Sequence, residues 1–335
     1  MLEVDAEVDR REFAVAVRFE VAPGQRLALF GPSGSGKTTT LEVIAGLAAP
    51  RRARIVLNGR VLTSTGPPRR AVPPWQRRTG LLRQDPGLFP HLTVRQNLEY
   101  GAGRGRQPAG TAELAAQLGL DGLLGDHPAR LSGGQAHRAA IGRLLLAHCD
   151  ALLLDEPYTG LDAGLRRVLT GLVRSLAAER AVPAVLVAHE LAEAQAFADR
   201  LAVLDRGRLL QVSTPDLVVL RPASRRVAEL VGYQGFVPPA GERADGLVAG
   251  VHPDRVVPGA QPGRGLVLSG RVTGRRPAGA GWELDLDVSG VPVTFRLAGE
   301  PPAAGPDGQV TVTAVDPPWF GADGTLLARP EQVRA

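Results

Sequence analysis

Cysteine is nearly absent from this chain of 335 residues. With Cys149 alone, no intrachain disulfide can form, which fits a reducing compartment. Cys149 lies in an apolar helical run and is expected in the core. Lysine is equally scarce: Lys37 is the only one, and every other Lys/Arg position is arginine. Aromatic residues make up 4% and do not interleave with the scattered basic pairs Arg51-Arg52, Arg69-Arg70 and Arg275-Arg276. That excludes a nucleic-acid footprint and leaves a solvated basic surface, with a net charge of only +5. No apolar run approaches the ~18 residues of a membrane-crossing helix. The acidic start, Met1-Leu2-Glu3-Val4-Asp5, does not resemble a signal peptide. The 6 histidines lie apart, without metal-ligand spacing. What is present is a globular composition, 44% hydrophobic, on a chain long enough for more than one domain.

The densest chemistry lies in residues 31–38, Gly-Pro-Ser-Gly-Ser-Gly-Lys-Thr. Before it, Arg26-Leu27-Ala28-Leu29-Phe30 is apolar in the manner of a buried strand. After it, residues 39–47 carry Leu41, Ile44 and Leu47 at helical spacing, with Pro50 as the stop. Strand, Gly-rich loop and helix together make this pattern a phosphate site. Gly31, Gly34 and Gly36 let the backbone of the loop that also holds Pro32, Ser33 and Ser35 wrap closely, so that its N–H groups, which Pro32 lacks, point inward, backed by the helix dipole. Lys37 adds a point charge for the β- and γ-phosphates, Thr38 offers a hydroxyl to Mg²⁺, and the binding stretch runs on to Thr39. A composition that avoids lysine has kept one where an ammonium is needed.

The flanking chain alternates between strands and helices. Residues 1–25 read as strands around a turn, and Phe13 there is either core or a platform for a nucleotide base. Residues 53–62 form a hairpin around Asn58-Gly59. A Pro/Arg-rich loop at 67–78 precedes a short strand that leads to Gln84. Leu88 to Val94 is either a small core segment or a docking surface. Residues 101–110 read as a loose Gly/Arg-rich loop. Leu131-Ser132-Gly133-Gly134-Gln135 opens a strong helix, with Ser132 as N-cap and the glycines baring the first N–H groups, a second potential anion site. That helix continues through Ile141, Leu144 and Leu145 to His148 or Cys149.

Residues 151–156 read as a buried strand ending in Asp155 and Glu156, at the sheet edge where ligands sit. Asp155 can hold Mg²⁺ through water, and Glu156 can take a proton from a water attacking a γ-phosphate. Thr159 to Asp162 is a tight loop before a helix. Another buried strand, 183–188, ends at His189, placed to reach a γ-phosphate. Residues 224–231 make a last helix, and 232–241 have a linker's composition. Beyond it the apolar period becomes two, with a turn at Ser289-Gly290, which suggests a small β-barrel. Arg271, Arg275 and Arg276 on one of its strands read as a solvated basic turn or, less simply, an oxyanion site.

The order of the phosphate loop, Gln84, Leu131 to Gln135, Asp155-Glu156 and His189 resembles the ATP-binding subunit of an ABC transporter over residues 1–230. The tail resembles the small oligonucleotide/oligosaccharide-binding-like (TOBE) domain of importer ATPases, and residues 84–94 look most like the molybdate importer branch. The resemblance implies an α/β P-loop ATPase domain with a helical subdomain at 1–231, a linker at 232–243 and a regulatory β-barrel at 244–335. It implies ATP and Mg²⁺, the latter held by Thr38, Gln84 and Asp155. Glu156, His189, Lys37 and Gln84 would carry catalysis, and Phe13 would stack on adenine. It further implies a head-to-tail homodimer in which Ser132, Gly133, Gly134 and Gln135 of one copy face the phosphates held by the other, with Asp162 at the interface. Transmembrane permease subunits, met through Gln84 and the apolar turn after it, and a solute-binding protein would complete an importer at the cytoplasmic face of the plasma membrane. Molybdate is the expected cargo, with iron, sulfate, polyamine or sugar as alternatives. The chain departs from the family pattern at His137, at Gly142-Arg143-Leu144 and at Arg83. A DNA-repair or translation ATPase of the same family would carry a coiled coil, a zinc insertion or a second ATP-binding half, none of which is visible. A P-loop kinase or GTPase would lack the helix start at Ser132, and a pure binding module would not need Glu156.

Overall fold

The computed structural model describes residues 1–102, 110–239, 246–298, 300, 302, 304–305 and 307–327. Most of the expected Gly/Arg-rich loop, 103–109, and the 240–243 part of the expected linker lie outside the described residues. The chain divides into two compact units, Met1–Pro215 and Asp216–Ala335.

The first unit is built on an 11-stranded sheet. In chain order the strands are β1 (Leu2–Asp9), β2 (Ala14–Val21), β3 (Arg26–Phe30), β4 (Arg52–Leu57), β5 (Arg60–Ser64), β6 (Arg70–Ala71), β7 (Thr79–Leu82), β8 (Ala151–Asp155), β9 (Ala184–Ala188), β10 (Arg200–Asp205) and β11 (Arg208–Ser213). In space they run β6-β5-β4-β1-β2-β11-β10-β3-β9-β8-β7. The β6 to β2 half is an antiparallel meander. Its β1 alternates buried Leu2, Val4, Ala6 and Val8 with more exposed residues, the period of a sheet covered on one face. Asn58 and Gly59, both at positive φ, turn the β4–β5 hairpin, as their pairing in sequence predicts. The β10-β3-β9-β8-β7 half is parallel. Its central strands β8 and β9 are buried at every position, so their apolar runs do not alternate.

Helix α1 (Lys37–Ala45) follows β3. Gly46 in the left-handed conformation ends it, before the expected stop at Pro50 is reached. Buried Arg77 then fastens the helix end: its guanidinium donates to the carbonyls of Val43 (3.1 Å), Ile44 (2.9 Å) and Val72 (2.7 Å) and to Thr63 Oγ1 (2.9 Å).

Helices α2 (Val94–Tyr100), α3 (Thr111–Gln117) and α4 (Gly133–Leu146) form the helical subdomain between β7 and β8. Thr93 and Gln96 close a capping box at the start of α2. Fully buried Asn97 ties the preceding turn down through Phe89 and Leu92. The departure at Gly142 has a packing reason: a Cβ there would lie 2.5 Å from Leu98 and 2.7 Å from Leu118, so glycine lets α2 and the end of α3 approach α4. Arg143 reaches the carbonyls of Gly87 (2.9 Å) and Pro86 (3.0 Å), anchoring the turn after Gln84. Cys149 lies beyond the end of α4 and is half-buried rather than a core residue of it, while His148 is exposed. Helices α5 (Ala163–Glu179) and α6 (Leu191–Phe197) follow β8 and β9.

The second unit begins earlier than position 231. Helices α7 (Pro215–Leu220) and α8 (Arg225–Leu230) belong to it almost entirely. Arg225 N–H donates to Gly324 O (2.8 Å), and Tyr233 O–H donates to Val219 O (2.7 Å). Part of the expected linker is strand β12 (Gly235–Val237), because Phe236 packs edge-on against Phe320 and Val237 is buried. The remaining strands are β13 (Val248–Val251), β14 (Val256–Pro258), β15 (Gly265–Ala278), β16 (Gly281–Val288), β17 (Val291–Ala298), β18 (Gln309–Val315), β19 (Trp319–Phe320) and β20 (Leu326–Leu327). They form a 4-stranded sheet, β12-β13-β19-β20, and a 5-stranded sheet, β14-β18-β15-β16-β17. The two end strands of the larger sheet, β14 and β17, lie close together, so that sheet curls on itself. Ser289-Gly290 turns β16 into β17 as expected. On the basic strand Arg276 pairs with Glu283 (2.7 Å) and Asp285 (3.1 Å), and Arg275 stacks over Trp282.

Candidate active site

Four adjacent parallel strands, β3, β9, β8 and β7, deliver the sequence-predicted residues to one edge of the sheet. The loop after β3 supplies residues 31–36, β9 leads into His189, β8 into Asp155 and Glu156, and β7 into Gln84. A cavity of about 540 Å³ is lined by Phe13, Ser33, Gly34, Gly36, Lys37, Thr38, Thr39, Gln84, Glu156 and His189, together with Arg10, Arg11, Glu12 and Val15.

The loop has the form of an anion cradle. Gly31 has φ 155, and a Cβ there would sit 1.9 Å from Leu204 O, so only glycine lets the chain pass β10. Lys37 is buried, and its Nζ donates to the carbonyls of Gly31 (2.7 Å) and Pro32 (2.9 Å). Burial lowers its pKa, while Glu156 and Asp155 pull the other way. With two of its three N–H donors spent on carbonyls, the ammonium keeps one for an incoming phosphate oxygen. Ser35 Oγ is buried in the loop with no hydrogen-bond partner, a further polar atom that an anion would satisfy.

Thr38 Oγ1 donates to Asp155 Oδ1 at 3.1 Å. Asp155 is buried, and its carboxyl pKa is raised by burial, with the Thr38 hydrogen bond opposing. A hydroxyl, a carboxylate and the exposed amide of Gln84 at the same sheet edge form an all-oxygen donor set that suits a hard divalent ion. Among the described residues no three His, Cys, Asp or Glu converge as a metal cage. Magnesium usually leaves most of its coordination to water and substrate phosphates, so the set fits it.

Glu156 lies just beyond β8, not within it, and adopts φ 52. This left-handed backbone is uncommon for a residue with a side chain. It turns the carboxylate against the ring of His189, with Nε2 facing Oε1. Phe13 is half-buried against the core and also lines the cavity.

The second helix start lies elsewhere. Ser132 and Gln135 form a reciprocal capping box at α4, and neither they nor Gly133 or Gly134 line the cavity. A Cβ on Gly133 or Gly134 would meet nothing within 4 Å. Nothing among the described residues of this chain therefore requires glycine at either position. Asp162 is the exposed N-cap of α5, accepting from Gly164 N (2.9 Å) and Leu165 N (3.0 Å). His137 is buried in α4, and burial lowers its pKa. Sequence reasoning misses Arg10, Arg11 and Glu12. Their one signal is a charged triplet immediately before Phe13.

The chain is similar to known proteins. The family model described as "ABC transporter" matches residues 15–159. The Fe(3+) ions import ATP-binding protein FbpC of Mesorhizobium japonicum is 43% identical over 66% of this chain and 62% of its own length. The chain thus spans under two thirds of that relative. The molybdate/tungstate import ATP-binding protein WtpC of Pyrococcus horikoshii is 36% identical over 71% of this chain and 69% of its own. A solved structure of an ATP-binding subunit of an ABC transporter superposes with a TM-score of 0.57 at 28% identity, covering 69% of this chain and 95% of that one.

Proposed function

We propose, since the chain belongs to the ABC transporter family, that it is the ATP-hydrolysing subunit of an importer whose permease is a separate chain. The observation that carries this reading is the convergence of four neighbouring strand ends on one sheet edge, with Lys37, Thr38, Asp155, Glu156, His189 and Gln84 around it. The residues divide the work. Backbone N–H groups of residues 33–36 and the Lys37 ammonium bind the β- and γ-phosphates. Glu156 accepts the proton of the attacking water, and His189 holds that carboxylate and faces the γ-phosphate. Phe13 offers a face to adenine. Thr38, Asp155 and Gln84 would hold Mg²⁺, which when bound supplies positive charge to the phosphate oxygens.

The start of α4, where a Cβ on either glycine would meet nothing among the described residues, supports a partner in trans. Ser132, Gly133, Gly134 and Gln135 of a second copy would close over the γ-phosphate, and hydrolysis would remove that tie. Asp162 would sit at the same interface. The segment after Gln84, anchored by Arg143, is the proposed seat for the permease, with a solute-binding protein beyond it. No helix among the described residues is long and apolar enough to cross a membrane, so attachment to the cytoplasmic face would come through the permease. We assign the C-terminal β unit as a TOBE-like regulatory domain. For cargo, the relatives named for Fe(3+) and for molybdate/tungstate stand at 43% and 36% identity, which favours ferric iron over the molybdate suggested by residues 84–94.

The test is Glu156→Gln with the permease present. ATP binding should persist while steady-state hydrolysis falls by about 10²-fold or more. Near-normal turnover would overturn the assignment. Uptake of labelled ferric iron against labelled molybdate by the wild-type assembly decides the cargo.

A further inference from the structure

We propose that Arg10 is a nucleotide-binding residue that grips the α-phosphate, a role that rests on the ATP-site reading above. Arg10 stands in the turn between β1 and β2, where its N–H donates to Phe13 O at 3.1 Å, so it and the proposed base platform are placed by the same turn. Its side chain lines the cavity. The guanidinium donates through Nε to Thr39 Oγ1 at 2.8 Å, and its NH2 reaches the same hydroxyl. Glu42 Oε2 lies 3.8 Å away, beyond hydrogen-bond distance, and the side chain remains 49% exposed. A planar fork spent on one neutral hydroxyl, with a carboxylate only in loose range, is poised to accept an anion instead.

Position along the cavity selects which anion. Lys37 and Thr38 meet the terminal phosphates, and Phe13 meets the base. Thr39 follows Thr38 in α1 and is held by a residue from the Phe13 turn, so its hydroxyl lies between the two. The phosphate between base and terminal phosphates is the α-phosphate. Glu42 also lies 3.8 Å from Arg83, the residue before Gln84. An α-phosphate that takes Arg10 therefore leaves Glu42 to Arg83.

A residue that reads the α-phosphate contributes equally to ATP and ADP, and equally to ground and transition states. Arg10→Ala should weaken ATP and ADP by the same factor, about tenfold. The KM for ATP should rise by a similar factor, with kcat at saturation within about twofold of wild type. Arg10→Lys should recover only part of the loss, because an ammonium has no fork. Three results would overturn the assignment: ADP affinity unchanged by Arg10→Ala; a fall in kcat with KM unmoved; or full recovery of affinity by Arg10→Lys, which would make the fork irrelevant. Wild-type protein that binds neither nucleotide would instead remove the ATP-site reading on which the proposal stands.

Discussion

Burial pushes the Glu193 carboxyl, on α6, from its ordinary 4.5 up to about 7, with Arg166 opposing and Glu190 and Glu156 adding to the rise. Its Oε1 is buried without a hydrogen-bond partner, so the charged form is poorly served. A raised native pKa has a definite sign. Folding is unpenalised while the group is protonated in both states, below about 4, and stability is lost as pH climbs from there through about 7. Glu193→Gln should therefore melt with the wild type near pH 4 and above it at about pH 8. Melting curves across that range check this, and a constant difference at all pH values would show the charge to be irrelevant. No sequence pattern marks Glu193, because the penalty arises from what packs over it. Asp155, Glu156 and His189 were legible for the opposite reason: each sits at or just after the end of a continuous apolar run, and in a parallel sheet that is where the site lies. Arg10 was not legible, since only the fold of the β1–β2 turn brings it onto Thr39.

Among the elements, α1 depends on its far end as much as on the phosphate loop. Arg77 satisfies two of its last carbonyls from a buried position with no carboxylate within ion-pair range among the described residues. Arg77→Met would strand the Ile44 and Val72 carbonyls and the Thr63 hydroxyl, whereas Val43 O keeps the N–H of Gly46. The expected cost is about 3 kcal/mol or more, and Arg77→Lys should not restore it, because one ammonium cannot span the set. Denaturant unfolding of the two variants measures this; a loss under about 1 kcal/mol would mean the helix end is held otherwise. The pattern of residues 39–47 foretold this helix but not its clasp, which comes from a Pro/Arg-rich loop that reads as surface. The same limit applies to α8. Val227, Leu230 and Val231 announce a helix, yet the spacing of apolar residues does not say which unit covers them.

For the whole molecule, that boundary has a practical outcome. A chain ending at Pro215 keeps every strand of the large sheet and every proposed site residue, and should bind ATP. A chain ending at 231 would bare Val218, Val227 and Ala228, each fully buried in the second unit, and should aggregate more readily. Light scattering of the two truncations distinguishes the boundaries. The strand order also dictates a sequence of events during synthesis. The phosphate loop leaves the ribosome early, yet β3 beneath it pairs only with β9 at Ala184–Ala188 and β10 at Arg200–Asp205. The meander of β1, β2, β4 and β5 can assemble from near neighbours, while the cradle has no flanking strands until some two hundred residues have emerged. Contacts separated so widely close slowly. A growing chain passes through a long interval in which its most recognisable motif is present and cannot work.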